Sequence, residues 1–223
     1  MPAIFITATG TEIGKTYVAA RLISSLRRRG RKVAALKPVI SGFDPRESGT
    51  SDPALLLNAM GREAHEAAIA DVAPWRFHAP LSPDMAAGHE GRYIEFDAVV
   101  DFCRRAIEAA EDLIIIEGIG GLMVPFNTQA TVLDLIDELH IPILLVAGTY
   151  LGALSHTLTA FEAATGRGIE TAALILNETP GSPVSAAGTR ASLENFFGEV
   201  PIILLDHGAE NIAAFEVLAD LLS

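Results

Sequence analysis

At 223 residues, half of them hydrophobic, the chain is long enough to bury a full core as a single domain over residues 1–223. A formal net charge of −12 argues against a broad nucleic-acid footprint, and one cysteine excludes an internal disulfide. Apolar runs such as Leu113–Ile116 and Ile141–Ala147 are far shorter than the roughly 20 residues of a membrane-spanning helix, and no signal core follows the first residues, so a cytoplasmic protein is expected.

In chain order, β-branched and apolar runs predict strands over Ala3–Thr9, Lys32–Pro38, Leu113–Glu117, Ile141–Ala147, Ala172–Asn177 and Val200–Leu204. Helical periodicity predicts helices over Lys15–Arg28, Phe96–Ala110, Thr131–Leu139, Gly152–Thr165, Val184–Phe197 and Ala209–Leu222. The alternation is that of an α/β fold: three layers, a mostly parallel central sheet with helices on both faces. The basic run Arg27–Lys32 falls where the first helix should end, with Gly30 as its cap and cations complementing the helix dipole. Between Val39 and Arg92 the chain is broken by prolines and glycines around one expected short helix near Asp52–Met60, a long irregular segment of the kind that carries function.

Ligands on such sheets gather at the carboxyl ends of the strands. There, Gly14-Lys15-Thr16 closes a loop between the first strand and a helix, where free backbone amides favour an anion, Lys15 reaches terminal phosphates and the Thr16 hydroxyl can hold magnesium. Position 9 is Thr where the general phosphate-loop pattern asks for glycine. Glu117 follows a hydrophobic strand, as a metal-holding carboxylate would. Asp52, taken alone, reads as a helix N-cap. Gly120 and Gly121 fit either a tight turn or a close backbone approach to ligand. Cys103 reads as a helix residue facing the core, and the six histidines lack metal-ligand spacing.

The ordered set "TATGTEIGKTYVAARL", "ALKPVISGF", "SDPALLL", "APLSPDMAA", "IIIEGIGGLMVPF", "VAGTYLGALSHTL" and "LILNET" resembles the dethiobiotin synthetase family nearly end to end. The resemblance implies a P-loop NTPase-like fold and a homodimeric ATP-dependent cyclo-ligase of biotin synthesis. Its substrates would be 7,8-diaminononanoate, carbon dioxide or bicarbonate, and ATP with Mg2+. It further implies Lys37, Lys15 and Thr11 as catalytic groups, with Thr16, Asp52 and Glu117 around the metal. Ser41 and Gly120 would touch substrate, whose carboxylate would meet Leu151, Gly152, Ala153 and Leu154 at a helix N-terminus of the partner chain. The nucleotide would contact Glu12, Ile13, Gly14, Tyr17, Gly118 and Ile119 around the phosphates. Its base and ribose would meet Asn177, Glu178, Pro201, Ile202, Ile203 and Glu210.

This chain departs from the family pattern at Ala8, where a glycine usually opens the loop, and at Gly10, which takes a usually polar position. Asp84, Tyr150 and Glu178 stand where a histidine, a basic residue and an aspartate are common. A partitioning-type nucleotide switch is the alternative from another class, but its loop carries an early lysine and Ala8–Ile13 has none. Nor does the acidic segment 210–223, free of Lys and Arg, suit an anionic membrane surface. An amidating ligase of the cobyrinate type would need a glutaminase domain with a nucleophilic cysteine, for which the chain is too short.

Overall fold

The computed structural model describes residues 3–222. In order it runs β1 (Ala3–Ala8), α1 (Lys15–Arg28), β2 (Val33–Leu36), β3 (Val39–Ile40), α2 (Asp52–Ala59), α3 (Glu66–Val72), β4 (Trp75–Arg76), α4 (Pro83–His89), α5 (Phe96–Ala109) and β5 (Leu113–Glu117). There follow α6 (Val132–Leu139), β6 (Ile143–Ala147), α7 (Ala153–Gly166), β7 (Thr171–Asn177), α8 (Ala186–Phe197), β8 (Ile202–Leu205) and α9 (Ile212–Leu221). Six strands form one parallel sheet in the order β2-β5-β1-β6-β7-β8. All residues of β1, β5 and β6 are buried, as continuous apolar runs covered on both faces require.

The chain enters at the centre of the sheet, crosses by α1 to the edge strand β2 and later returns through β5 between them. Three neighbouring strands thus deliver three segments distant in sequence to one edge. Register makes this concrete: Leu36 pairs with Ile116, and Ile6 pairs with Glu117. The residue after Leu36, the carboxylate ending β5 and the loop after β1 therefore share one corner.

Two close approaches hold that corner. A Cβ at Gly118 would lie 2.8 Å from the Phe5 ring, and one at Gly121 would lie 3.2 Å from the Gly10 backbone, so the 118–121 turn packs directly on β1 and the loop after it.

The basic run behaves as its position predicts. Gly30 has φ +82°, the amides of Gly30 and Arg31 close back onto Arg27 and Leu26, and Arg29, Arg31 and Lys32 pair with Glu216 and Asp220, Asp112 and Glu111. Cys103 is fully buried, and burial pushes its thiol up to about 12.

The 39–92 segment differs from expectation. It is not one short helix in an irregular stretch: α2, α3 and α4, a 3-10 turn over Pro45–Thr50 and a two-stranded pairing of β3 with β4 give it regular structure. Its helices have seven or eight residues, two begin with proline in the first turn, and their periodicity has no length over which to show. Asp52 is also not an N-cap. Ser51 holds that position without a side-chain cap bond, and Asp52 opens the helix.

Candidate functional site

The loop 9–14 wraps back on itself before α1. Glu12 and Gly14 take left-handed backbone angles, φ +58° and +100°, and Gly14 caps α1 with no side chain over the helix amides. Glu12 pays for its angle on the order of 1–3 kcal/mol, so the packing around it must hold the loop in shape. Lys15 supplies part of that hold, its buried Nζ donating to the Gly10 carbonyl at 3.1 Å. Asn177 supplies the rest: its Nδ2 donates to the Ile13 carbonyl at 2.9 Å, and a Cβ at Gly14 would sit 2.3 Å from that nitrogen. The result is a concave loop with exposed amides at a helix N-terminus, built to cradle phosphate without a glycine at position 9.

Facing it, Lys37 is buried, its ammonium 2.6 Å from Glu117 Oε1 and 3.0 Å from Asp52 Oδ2, with the Gly118 carbonyl at 3.3 Å. Thr16 Oγ1 donates to the same Glu117 Oε1 at 2.7 Å. Burial works against the charge on Lys37, but the Glu117 and Asp52 carboxylates outweigh it and hold the ammonium above its ordinary range. Lys15 goes the other way, pushed down to about 8 by burial and then by the neighbouring Lys37 cation.

A cavity of about 290 Å³ opens over these groups, lined by Thr11, Glu12, Gly14, Lys15, Thr16, Lys37, Ile40, Ser41, Asp52, Glu117, Ile119 and Gly120. Most of the residues expected at the phosphates, metal and reacting amine meet here. Glu117 Oε2 is buried and has no hydrogen-bond partner among the described residues. An unpaired buried carboxylate oxygen beside a threonine hydroxyl and a second carboxylate is an all-oxygen donor set of the kind Mg2+ takes, so the residues present fit that ion. A second cavity of about 440 Å³ adjoins, between the loop at Thr9–Thr11, residues 121–124 and the α7 face at His156, Thr159 and Ala160.

Other expected site residues lie elsewhere. Leu151, Gly152, Ala153 and Leu154 line neither cavity of their own chain; Leu151 is 85% exposed at the start of α7, behind Gly152 at φ +96°. Gly120, by contrast, does line the cavity and is at the same time a turn glycine, with φ +60°. Tyr17 points away from the cavity, edge-on to Phe215, with its hydroxyl 3.4 Å from Asn211 Nδ2. Tyr150, at the departure from the family's basic residue, bonds His156 Nδ1 through its hydroxyl at 2.8 Å.

Pro201, Ile202 and Ile203 require correction. Ile202 pairs with Leu174 and Ile203 with Ile175, while Asn177 pairs with Leu205, so the three sit at the amino end of β8, away from the edge that carries the loop. β8 ends later than its predicted limit because the apolar run continues through Leu205. The segment beside Asn177 and Glu178 is instead 206–210: the His207 amide donates to Glu178 Oε2 at 3.1 Å, and the Glu210 carbonyl accepts from Arg21 at 2.5 Å. Sequence patterning did not bring Asp206 and His207 beside Glu178. The D-x-G sequence at 206–208, a turn signal directly after the run, could have found them.

A parallel sheet with a phosphate-shaped loop after one of its central strands, a Gly-Lys-Thr sequence closing that loop and a carboxylate ending the adjacent strand together define a P-loop nucleotide-binding domain. Solved structures agree on the fold. The hydrogenase maturation factor HypB of Archaeoglobus fulgidus superimposes with TM-score 0.56 at 14% identity, covering 99% of this chain and 90% of that one. The cell division ATPase MinD of Pyrococcus furiosus does so with TM-score 0.57, also at 14% identity, covering 99% and 98%. A family model described as an AAA domain matches residues 2–215. Nearer in sequence, the chain is 48% identical to the ATP-dependent dethiobiotin synthetase of Acidiphilium cryptum over 90% of its own length and 91% of the relative's. It is 44% identical to that of a Caulobacter species over 93% and 89%. The chain belongs to the dethiobiotin synthetase family.

Proposed function

We propose that this protein is an ATP-dependent cyclo-ligase that converts 7,8-diaminononanoate, carbon dioxide and ATP into dethiobiotin, ADP and phosphate in biotin synthesis. The observation that carries this reading is the buried Lys37 ammonium, paired with Glu117 and Asp52 and lining one cavity with Lys15, Ser41 and the phosphate loop. The relatives' names support ATP-dependent dethiobiotin synthesis, and the grouped lysines, carboxylates and phosphate loop are consistent with its chemistry.

In this reading one substrate amine adds to carbon dioxide and loses a proton to give a carbamate. The carbamate oxygen attacks the γ-phosphorus while the bond to the β-phosphate oxygen breaks. The second amine then attacks the carbonyl carbon of the mixed anhydride, phosphate leaves and the five-membered urea ring closes. Such steps need alignment and cations more than a protein nucleophile. Lys37 and Lys15 offer positive charge from the same cavity to the carbamate and the transferring phosphoryl group, Thr11 and the loop amides hold the phosphates, and Ser41 orients the amine or carbamate. Thr16, Asp52 and Glu117 would hold Mg2+, which when bound offsets charge on the β and γ oxygens.

The adjoining cavity, with Leu122, Met123 and Val124 on one wall, suits the aliphatic body of the diamine. The exposed Leu151 ahead of α7, and Gly152 at the α7 start with no side chain capping the helix amides, support a homodimer in which each α7 N-terminus meets the substrate carboxylate in the partner's site. Nucleotide base and ribose would lie toward Asn177, Glu178 and the 206–210 segment. A cytoplasmic setting and a single domain complete the reading.

The test is phosphate release with MgATP and bicarbonate, with and without 7,8-diaminononanoate, alongside mass detection of dethiobiotin. Diamine-dependent cleavage with product, lost in Lys37→Ala, is expected. Slow ATP turnover indifferent to the diamine would overturn the reading and favour the nucleotide switch.

A further inference from the structure

Lys37 and the two carboxylates that would hold a divalent cation are not independent parts of the site. The ammonium stands between them, 2.6 Å from Glu117 Oε1 and 3.0 Å from Asp52 Oδ2, where it neutralises one of their two charges. Thr16 Oγ1 occupies the same Glu117 oxygen, and Oε2 alone is left over, buried and unpartnered. A divalent cation added with the ammonium in place would put three positive charges against the two carboxylates, while Lys15 and Glu12, which line the same cavity, add one charge of each sign. At these separations and this burial the repulsion is steep. It is relieved only if the ammonium moves, and lysine's flexible four-carbon stem allows that where an arginine fork would not. What Lys37 then needs is another anion, and the terminal phosphates of a nucleotide seated on the loop supply one.

We propose that Lys37 is the resident counter-ion of Asp52 and Glu117, and that it leaves them for phosphoryl and carbamate oxygens when a divalent cation binds the two carboxylates. This rests on reading Thr16, Asp52 and Glu117 as the metal-holding groups. The exchange has two consequences. The carboxylates hold a metal weakly until nucleotide gives the ammonium somewhere to go, so metal and nucleotide bind cooperatively. The lysine is also aimed at the reacting atoms only once both are present, which keeps an ATP-charged site idle until it is complete.

The test is direct binding of Mn2+, followed by electron paramagnetic resonance without nucleotide, in wild type, Lys37→Met and Glu117→Gln. Lys37→Met should bind Mn2+ about tenfold or more tightly than wild type, since a like charge has been removed from the site. A non-hydrolysable ATP analogue should then raise the wild-type affinity more than the variant's. Equal or weaker Mn2+ binding by Lys37→Met, with binding still lost in Glu117→Gln, overturns the exchange and leaves the metal reading intact. Unchanged binding in Glu117→Gln overturns the metal reading itself. Lys37→Met strands a buried carboxylate and can fold poorly, so wild type provides a second measurement. In nitrogen-labelled lysine spectra of the analogue complex, the Lys37 ammonium signal should shift when Mg2+ is added, and a signal blind to Mg2+ overturns the proposal.

Discussion

The two ends of the β2–β5 strand pair carry the same chemistry in opposite settings. At the amino end Lys32 pairs with Glu111, and the side chains are 73% and 68% exposed. At the carboxyl end Lys37 pairs with Glu117, and they are 4% and 0% exposed. Exposed pairs gain little from water and are screened by salt, whereas a buried pair trades a large desolvation penalty for a strong mutual attraction. The amino-end pair trims the surface. The carboxyl-end pair fixes two charges in a dry corner beside the phosphate loop, where either partner alone would be costly, and so places chemistry where the neighbouring strands β2, β5 and β1 end.

Substitutions can sharpen this contrast. The largest effect should come from Glu117→Ala, which leaves the Lys37 ammonium buried against Asp52 alone: a loss of about 3–5 kcal/mol in urea denaturation, together with loss of ATP turnover. Gly14→Ala should follow, because it combines a left-handed φ with a clash against Asn177 Nδ2. A loss of about 1–3 kcal/mol is expected, with weakened binding of a fluorescent ATP analogue.

Lys15 gives a smaller, pH-dependent effect. Its folded value is near 8 against an ordinary 10.5, so below pH 8 both states carry the proton and the folded protein bears the penalty of a buried charge. Between those values the folded state sheds the proton first. Stability should therefore rise with pH across this window in wild type more than in Lys15→Met, measured by denaturation at pH 7.5 and pH 9.5. Lys37, shifted upward, keeps its proton there and does not contribute. The smallest effect belongs to Lys32→Ala, which should leave the melting temperature and turnover unchanged within error. A shift there comparable to that of Glu117→Ala would undo the comparison.

Much of this corner was legible in the sequence because long apolar runs end in chemically distinctive residues. Lys15–Arg28 and Leu113–Glu117 have the limits their periodicity predicts, and Glu117 ends its strand as expected. The convergence of Asp52 with Lys37 is a tertiary contact from a short helix, and its local signal pointed to a cap instead. Strand β8 misled for the opposite reason: Pro-Ile-Ile-Leu-Leu is apolar throughout, so composition marks no end, and the base contacts that the resemblance implied at Pro201–Ile203 fall at the amino end of the strand, several residues before the 206–210 segment. Helices α3 and α4 escaped because seven residues hold too few turns for periodicity to register.

The bond from Asn177 to the Ile13 carbonyl has a mechanical meaning. It guys the phosphate loop to β7, a strand two places away in the sheet, so the loop is a stiff lever anchored at both ends. Force applied where β7 hands over to the 178–185 segment is transmitted through a single amide to the cradle itself.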